Sequence, residues 1–179
     1  MADKRKFSKR GYLSYFVKNA AGEYIYSGKL YSLNGEGYGA FIAKLSVLSF
    51  LSLASCVVSG SITAPGMTNS FYVIIPFILE IAAEVSVCWA ACRFIVNKKP
   101  LREYIYDSVI KTVPLRALLA AVCALAGIIS ETVFVILNGA GENVLWCVLY
   151  YILKIAVAVF MFLLRRYVKK TVWTPSDGN

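Results

Sequence analysis

Glu80 and Glu84 stand one helical turn apart inside the apolar run FILEIAAEVSVCWAAC, Glu131 sits in a second such run and Lys154 in a third. Carboxylates and an ammonium in apolar surroundings can hold a proton, coordinate a cation, or neutralise one another. Each such charge costs about 2.5–3.5 kcal/mol at the centre of a membrane helix, so the four oppose insertion by something on the order of 10 kcal/mol before partners are counted. They are therefore expected to turn inward and form a buried polar cluster. One lysine neutralises one carboxylate. The surplus acids must be protonated, hold a cation in a wet cavity, or pair with a basic residue on another protein or another copy of this one. Lys44, Arg93 and Arg116 fall near the opposite helix ends, where they reach the interface instead.

Four apolar runs, roughly 41–60, 71–96, 114–137 and 144–167, are long enough to cross a bilayer at about 1.5 Å per residue. The sequence thus predicts an all-α membrane protein, with a four-transmembrane-helix bundle over 41–167. A cytoplasmic N-terminal segment (1–40) precedes it and a cytoplasmic tail (168–179) follows. Small and polar residues mark packing faces in membranes. Ser49, Ser52, Cys56 and Ser59 form a seam at 3-4-3 spacing in the first run, and Ala117, Ala120, Ala124, Gly127 and Glu131 continue one ridge in the third.

The net charge of +9 reflects topology. Lys4, Arg5, Lys6, Lys9, Arg10 and Lys18 precede the first run, and Arg165, Arg166, Lys169 and Lys170 close the last. Lys98, Lys99, Arg102 and Lys111 occupy the middle loop, while SITAPGMTNS and NGAGEN carry no basic residue. This positive-inside distribution places both termini and the middle loop in the cytoplasm, with the lipid bilayer rather than nucleic acid as the basic residues' partner. The polar, basic first 40 residues are unlike a cleavable signal. The absence of N-glycosylation triplets from the external loops favours a bacterial cell membrane.

Two cytoplasmic segments read as ordered. GYLSYFVKNAAGEYIYSGKLYSL alternates aromatics around a turn-like KNAAG and predicts a β-hairpin, with Tyr12, Tyr15, Tyr24, Tyr26, Tyr31 and Tyr38 suited to headgroup depth. In the middle loop, Pro100 suits a first helical position. Leu101, Tyr104, Ile105, Ser108 and Val109 share one face, predicting an amphipathic helix over about 100–112 that stops before Pro114.

Histidine is absent, which removes haem ligation, HExxH zinc chemistry and His-based triads. Asp3, Asp107 and Asp177 all lie outside the runs, which removes a paired intramembrane aspartyl protease. Cys56, Cys88, Cys92, Cys123 and Cys147 include no CxxC and read as small packing residues, with a Cys56–Cys147 bridge as the lesser alternative because both fall near the outer ends of their spans. No cofactor or metal is expected, and no catalytic motif; a Ser–Lys dyad through Lys154 is the weakest reading. Small multidrug-resistance transporters are similar in their four-span plan and intramembrane glutamate. Here, however, the acidic residues begin in the second span and the N-terminal hairpin has no counterpart. The sequence therefore favours an accessory or scaffold subunit of a larger membrane assembly, as a homo-oligomer or larger complex with a soluble cytoplasmic partner. The alternative is a dimeric proton- or cation-coupled transporter of a small solute, working through the glutamates.

Overall fold

A computed structural model describes residues 15–18, 22–34, 37–97, 100–139 and 144–176. The basic residues at 4–10, Tyr12, Lys98, Lys99, most of the KNAAG turn and most of the NGAGEN loop lie outside the described residues.

The chain is mostly helical. Elements run β1 (Phe16–Lys18), β2 (Tyr24–Tyr26), β3 (Leu30–Asn34), α1 (Tyr38–Ser61), α2 (Pro65–Asn69), α3 (Phe71–Val96), β4 (Leu101–Arg102), α4 (Glu103–Ile105), a π-helical turn (Tyr106–Ile110), α5 (Val113–Asn138), α6 (Val144–Lys170) and β5 (Val172–Ser176). Among the described residues, four helices are long and apolar enough to cross a membrane: α1, α3, α6, and α5 together with the turns that lead into it. Their outward faces carry large apolar side chains such as Phe50, Ile75, Trp89, Leu119, Ile136 and Ile155, all exposed. Apolar surface on that scale supports membrane insertion, since water would penalise it.

Local sequence sets the helix limits. Pro114 occupies the first turn of α5, where an amide donor has no intrahelical partner to lose. At the other end the chain leaves α5 through Gly139, whose φ of 79° suits glycine, and its N–H closes on the Val135 carbonyl at 2.8 Å. α1 packs against α3 and α6, and α5 packs against the same two. The bundle is thus a ring in the order α1, α3, α5, α6, with α1 facing α5 and α3 facing α6 across the middle.

At one end of the bundle the chain forms a cap. β1 and β2 pair antiparallel, with Val17 opposite Ile25. β3 is the centre of a separate antiparallel sheet, flanked by β4 (Tyr31 opposite Leu101) and β5 (Ser32 opposite Thr174). Two expectations are corrected here. The helix expected from Pro100 begins only at Glu103, because Leu101 and Arg102 pair with β3. Its apolar residues, Leu101, Ile105 and Val109, are buried against the bundle core rather than turned to lipid. The expected tail over 168–179 is likewise structured in part: Val168 to Lys170 belong to α6, and Val172–Ser176 form β5.

Aromatic packing fastens the cap to the helices. Trp173 meets Phe41, Phe94 and Tyr106 edge-on, with ring centroids 5.6, 6.1 and 5.8 Å away, and Tyr31 stacks on Tyr106 at 4.1 Å. Each such pair contributes about 0.5–1.5 kcal/mol beyond its buried area. Tyr26 joins hairpin to sheet: its hydroxyl donates to the Lys29 carbonyl at 3.0 Å and accepts the Glu103 N–H at 2.8 Å. Partial burial raises its pKa above the usual phenol value, which keeps that donor protonated.

Candidate functional site

The four intrabundle charges come from three helices. Glu80 and Glu84 lie on α3, Glu131 on α5 and Lys154 on α6, and all four are 0% exposed. Full burial follows from their helical registers: Ala83, Val87 and Ala91 accompany the glutamates on α3, and Tyr150, Val157 and Met161 accompany Lys154 on α6.

Lys154 Nζ donates to Glu80 Oε2 at 2.6 Å. This pair crosses the middle of the ring, from α3 to α6. Such a span needs a long side chain and an unobstructed path, and Gly127 on α5 provides the path. A Cβ at Gly127 would sit 3.3 Å from Tyr150 Oη, 3.7 Å from Lys154 Cε and 3.9 Å from Glu80 Oε2. The ammonium also lies 4.6 Å from the Phe77 ring centroid and 5.2 Å from that of Tyr150, so aromatic faces supplement the single carboxylate.

Glu84 and Glu131 do not reach the lysine and have separate partners. Ser52 Oγ on α1 donates to Glu84 Oε1 at 2.8 Å. The Gly66 N–H in α2 donates to Glu131 Oε1 at 3.2 Å, tying the connecting segment between α1 and α3 down onto α5. The structure therefore brings Glu80 and Lys154 together, places Glu84 one turn away and sets Glu131 under α2. A partner's basic residue cannot touch either surplus carboxylate while the bundle is closed. All four side chains are shut off from the outer surface of the bundle. One oxygen of each carboxylate, Glu80 Oε1, Glu84 Oε2 and Glu131 Oε2, has no hydrogen-bond partner among the described residues, and neither does Tyr150 Oη.

The packing residues are also placed. Ser49, Ser52, Cys56 and Ser59 on α1, and Ala117, Ala120, Ala124, Gly127 and Glu131 on α5, are all buried. Ser49 and Ser59 return their hydroxyls to the Leu45 and Cys56 carbonyls, so neither meets Lys154 as a Ser–Lys dyad would require. Cys88 Sγ donates to the Ser49 carbonyl at 3.4 Å, and all five cysteines, Cys56 and Cys147 included, are free thiols.

Two contributors escape a reading by residue type. Ser52 reads as a small packing residue, yet it is the hydrogen-bond partner of Glu84. Gly66 acts through its backbone, and a Cβ there would force the Glu131 carboxylate to shift. The signal for Gly66 was the Ala-Pro-Gly step inside an uncharged connection, with Pro65 opening a short helix. No protein-family model matches the chain, and no curated protein or solved structure matches it.

Proposed function

We propose that the chain is an accessory or scaffold subunit of a larger membrane assembly, with a buried polar centre that holds the bundle together and a cap that meets a soluble partner. The observation that carries this reading is the cap itself. Segments from before α1, between α3 and α5, and after α6 are knitted into one antiparallel sheet. A protein whose loops served only to connect spans would have little use for such an investment in order. Among the described residues the sheet's two edge strands, β4 and β5, each keep one backbone edge without a strand neighbour, and the β1–β2 hairpin exposes Val17, Tyr24 and Ile25.

Charge supports a cytoplasmic position for the cap. Lys44, Arg93, Arg102, Lys111, Arg116, Arg165, Arg166, Lys169 and Lys170 cluster toward this end, while the segments 59–79, 132–139 and 144–153 at the other contain no charged residue. By the positive-inside rule the cap and both termini belong in the cytoplasm.

The test is purification from the native host in a gentle detergent, with co-purifying chains identified by mass, alongside a variant lacking residues 172–179. A defined partner lost with that deletion supports the scaffold reading; a lone monomer or homodimer overturns it. The four oxygens without partners favour a second reading, proton- or cation-coupled transport, because they are sites a proton or ion would satisfy. Liposomes loaded with a pH-sensitive dye address it. Flux unchanged in Glu80→Gln and Glu84→Gln discards that reading.

A further inference from the structure

We propose that the groove between α1 and α6 at the cap end binds one anionic phospholipid, with an acyl chain between the helices and its phosphate among the cations above. This stands on membrane insertion and does not depend on the scaffold reading.

The groove encloses about 480 Å³ and is walled by Ala43, Val47 and Leu48 from α1 and by Leu163 from α6. That volume falls within the usual range of small-molecule sites, and the wall is apolar throughout. At its mouth stand Lys44 and Tyr167, with the Lys44 ammonium 5.1 Å from the Tyr167 ring centroid. The ring holds the charge over the opening.

The cations continue along α6. Arg166 and Lys170 lie three and seven residues after Leu163, so helical spacing sets them on the same side of the helix. A second hollow of about 520 Å³ is lined by Phe162, Arg165, Arg166, Lys169 and Lys170. None of Arg165, Arg166, Lys169 and Lys170 forms an ion pair with a described residue. Two acidic residues of the cap are engaged elsewhere: Glu103 with the Lys29 amide and Asp107 with Lys111.

A second groove gives the contrast. Between α3 and α5, Leu79, Ala82, Ala83, Ser86, Leu119 and Cys123 line about 260 Å³, with Arg116 as the cation. Arg116 already donates to the Ser86 carbonyl at 3.0 Å, so this site offers a phosphate less charge and half the room. Topology alone asks for cations near the helix ends. It does not ask for an apolar slot beneath several of them.

The experiment is native mass spectrometry of detergent-purified protein supplied with equal amounts of phosphatidylglycerol and phosphatidylcholine. The expected result is one retained phosphatidylglycerol per chain and no comparable retention of phosphatidylcholine. Lys44→Gln and Arg166→Gln should each weaken retention by about fivefold, the effect of one cation near an anionic surface. Ala43→Phe fills the slot from an exposed position, keeps every charge and should abolish retention. Lys111→Gln removes a cation outside the site and should leave retention unchanged. Equal retention of both lipids, indifference to Ala43→Phe, or an equal loss in Lys111→Gln would each overturn the site.

Discussion

The polar centre and the cap both join segments remote in sequence, by opposite physical means. In the centre, one ion pair of 2.6 Å links α3 to α6, with both side chains fully buried. There, removing one partner leaves an uncompensated charge, which costs about 3–5 kcal/mol, whereas removing both can be nearly neutral. In the cap the work is divided among ladder hydrogen bonds, the Tyr31–Tyr106 stack and the three rings around Trp173. No single contact dominates, and water can replace much of what a mutation removes. The centre should fail all at once and the cap by degrees.

The sharpest way to break this contrast is Lys154→Met. Thermal unfolding in detergent should show a loss of about 3–5 kcal/mol, and the double variant Glu80→Gln/Lys154→Met should recover most of it. If the double variant is no more stable than the single, the centre is not governed by charge pairing. Next in size is Gly127→Val, whose Cβ would press on Tyr150 Oη. Overpacking there should cost about 1–3 kcal/mol, and Gly127→Ala markedly less. Trp173→Ala should lower global stability modestly while greatly speeding amide hydrogen exchange in β3 and β5. Equal acceleration in α3 and α6 would erase the distinction between the two regions. The smallest effect belongs to Glu131→Gln, which keeps an acceptor for the Gly66 N–H and should change stability by less than about 1 kcal/mol. A drop as large as that of Lys154→Met would give Glu131 a weight the geometry denies it.

Much of this was legible in the residues. Long apolar runs announce spanning helices because nothing else in a chain this size needs them. The 3-4 spacing of Ser49, Ser52, Cys56 and Ser59 lines them on one face, and that face is buried. Glu80 and Lys154 lie at matching depth in their runs, and they meet. The partners of Glu84 and Glu131 were less legible, since a serine and a backbone amide carry no distinctive pattern. The cap was least so. β5 pairs with β3 across some 140 residues, and nothing in VWTPS announces a strand until the helix ends have been brought side by side. Pro100 followed by an amphipathic pattern reads as a helix start. The pairing of Leu101 with Tyr31 delays that start by three residues.

The diagonal placement of the ion pair bears on how the protein is made. α3 leaves the ribosome well before α6, so Glu80 has no ammonium to meet until the final helix is synthesised, and the cap's sheet is completed only when β5 emerges. A chain stalled or truncated before Lys154 would carry a naked carboxylate in the bilayer and an unclosed sheet. Both defects are repaired by one event, the arrival of residues 154–176 beside segments made long before them.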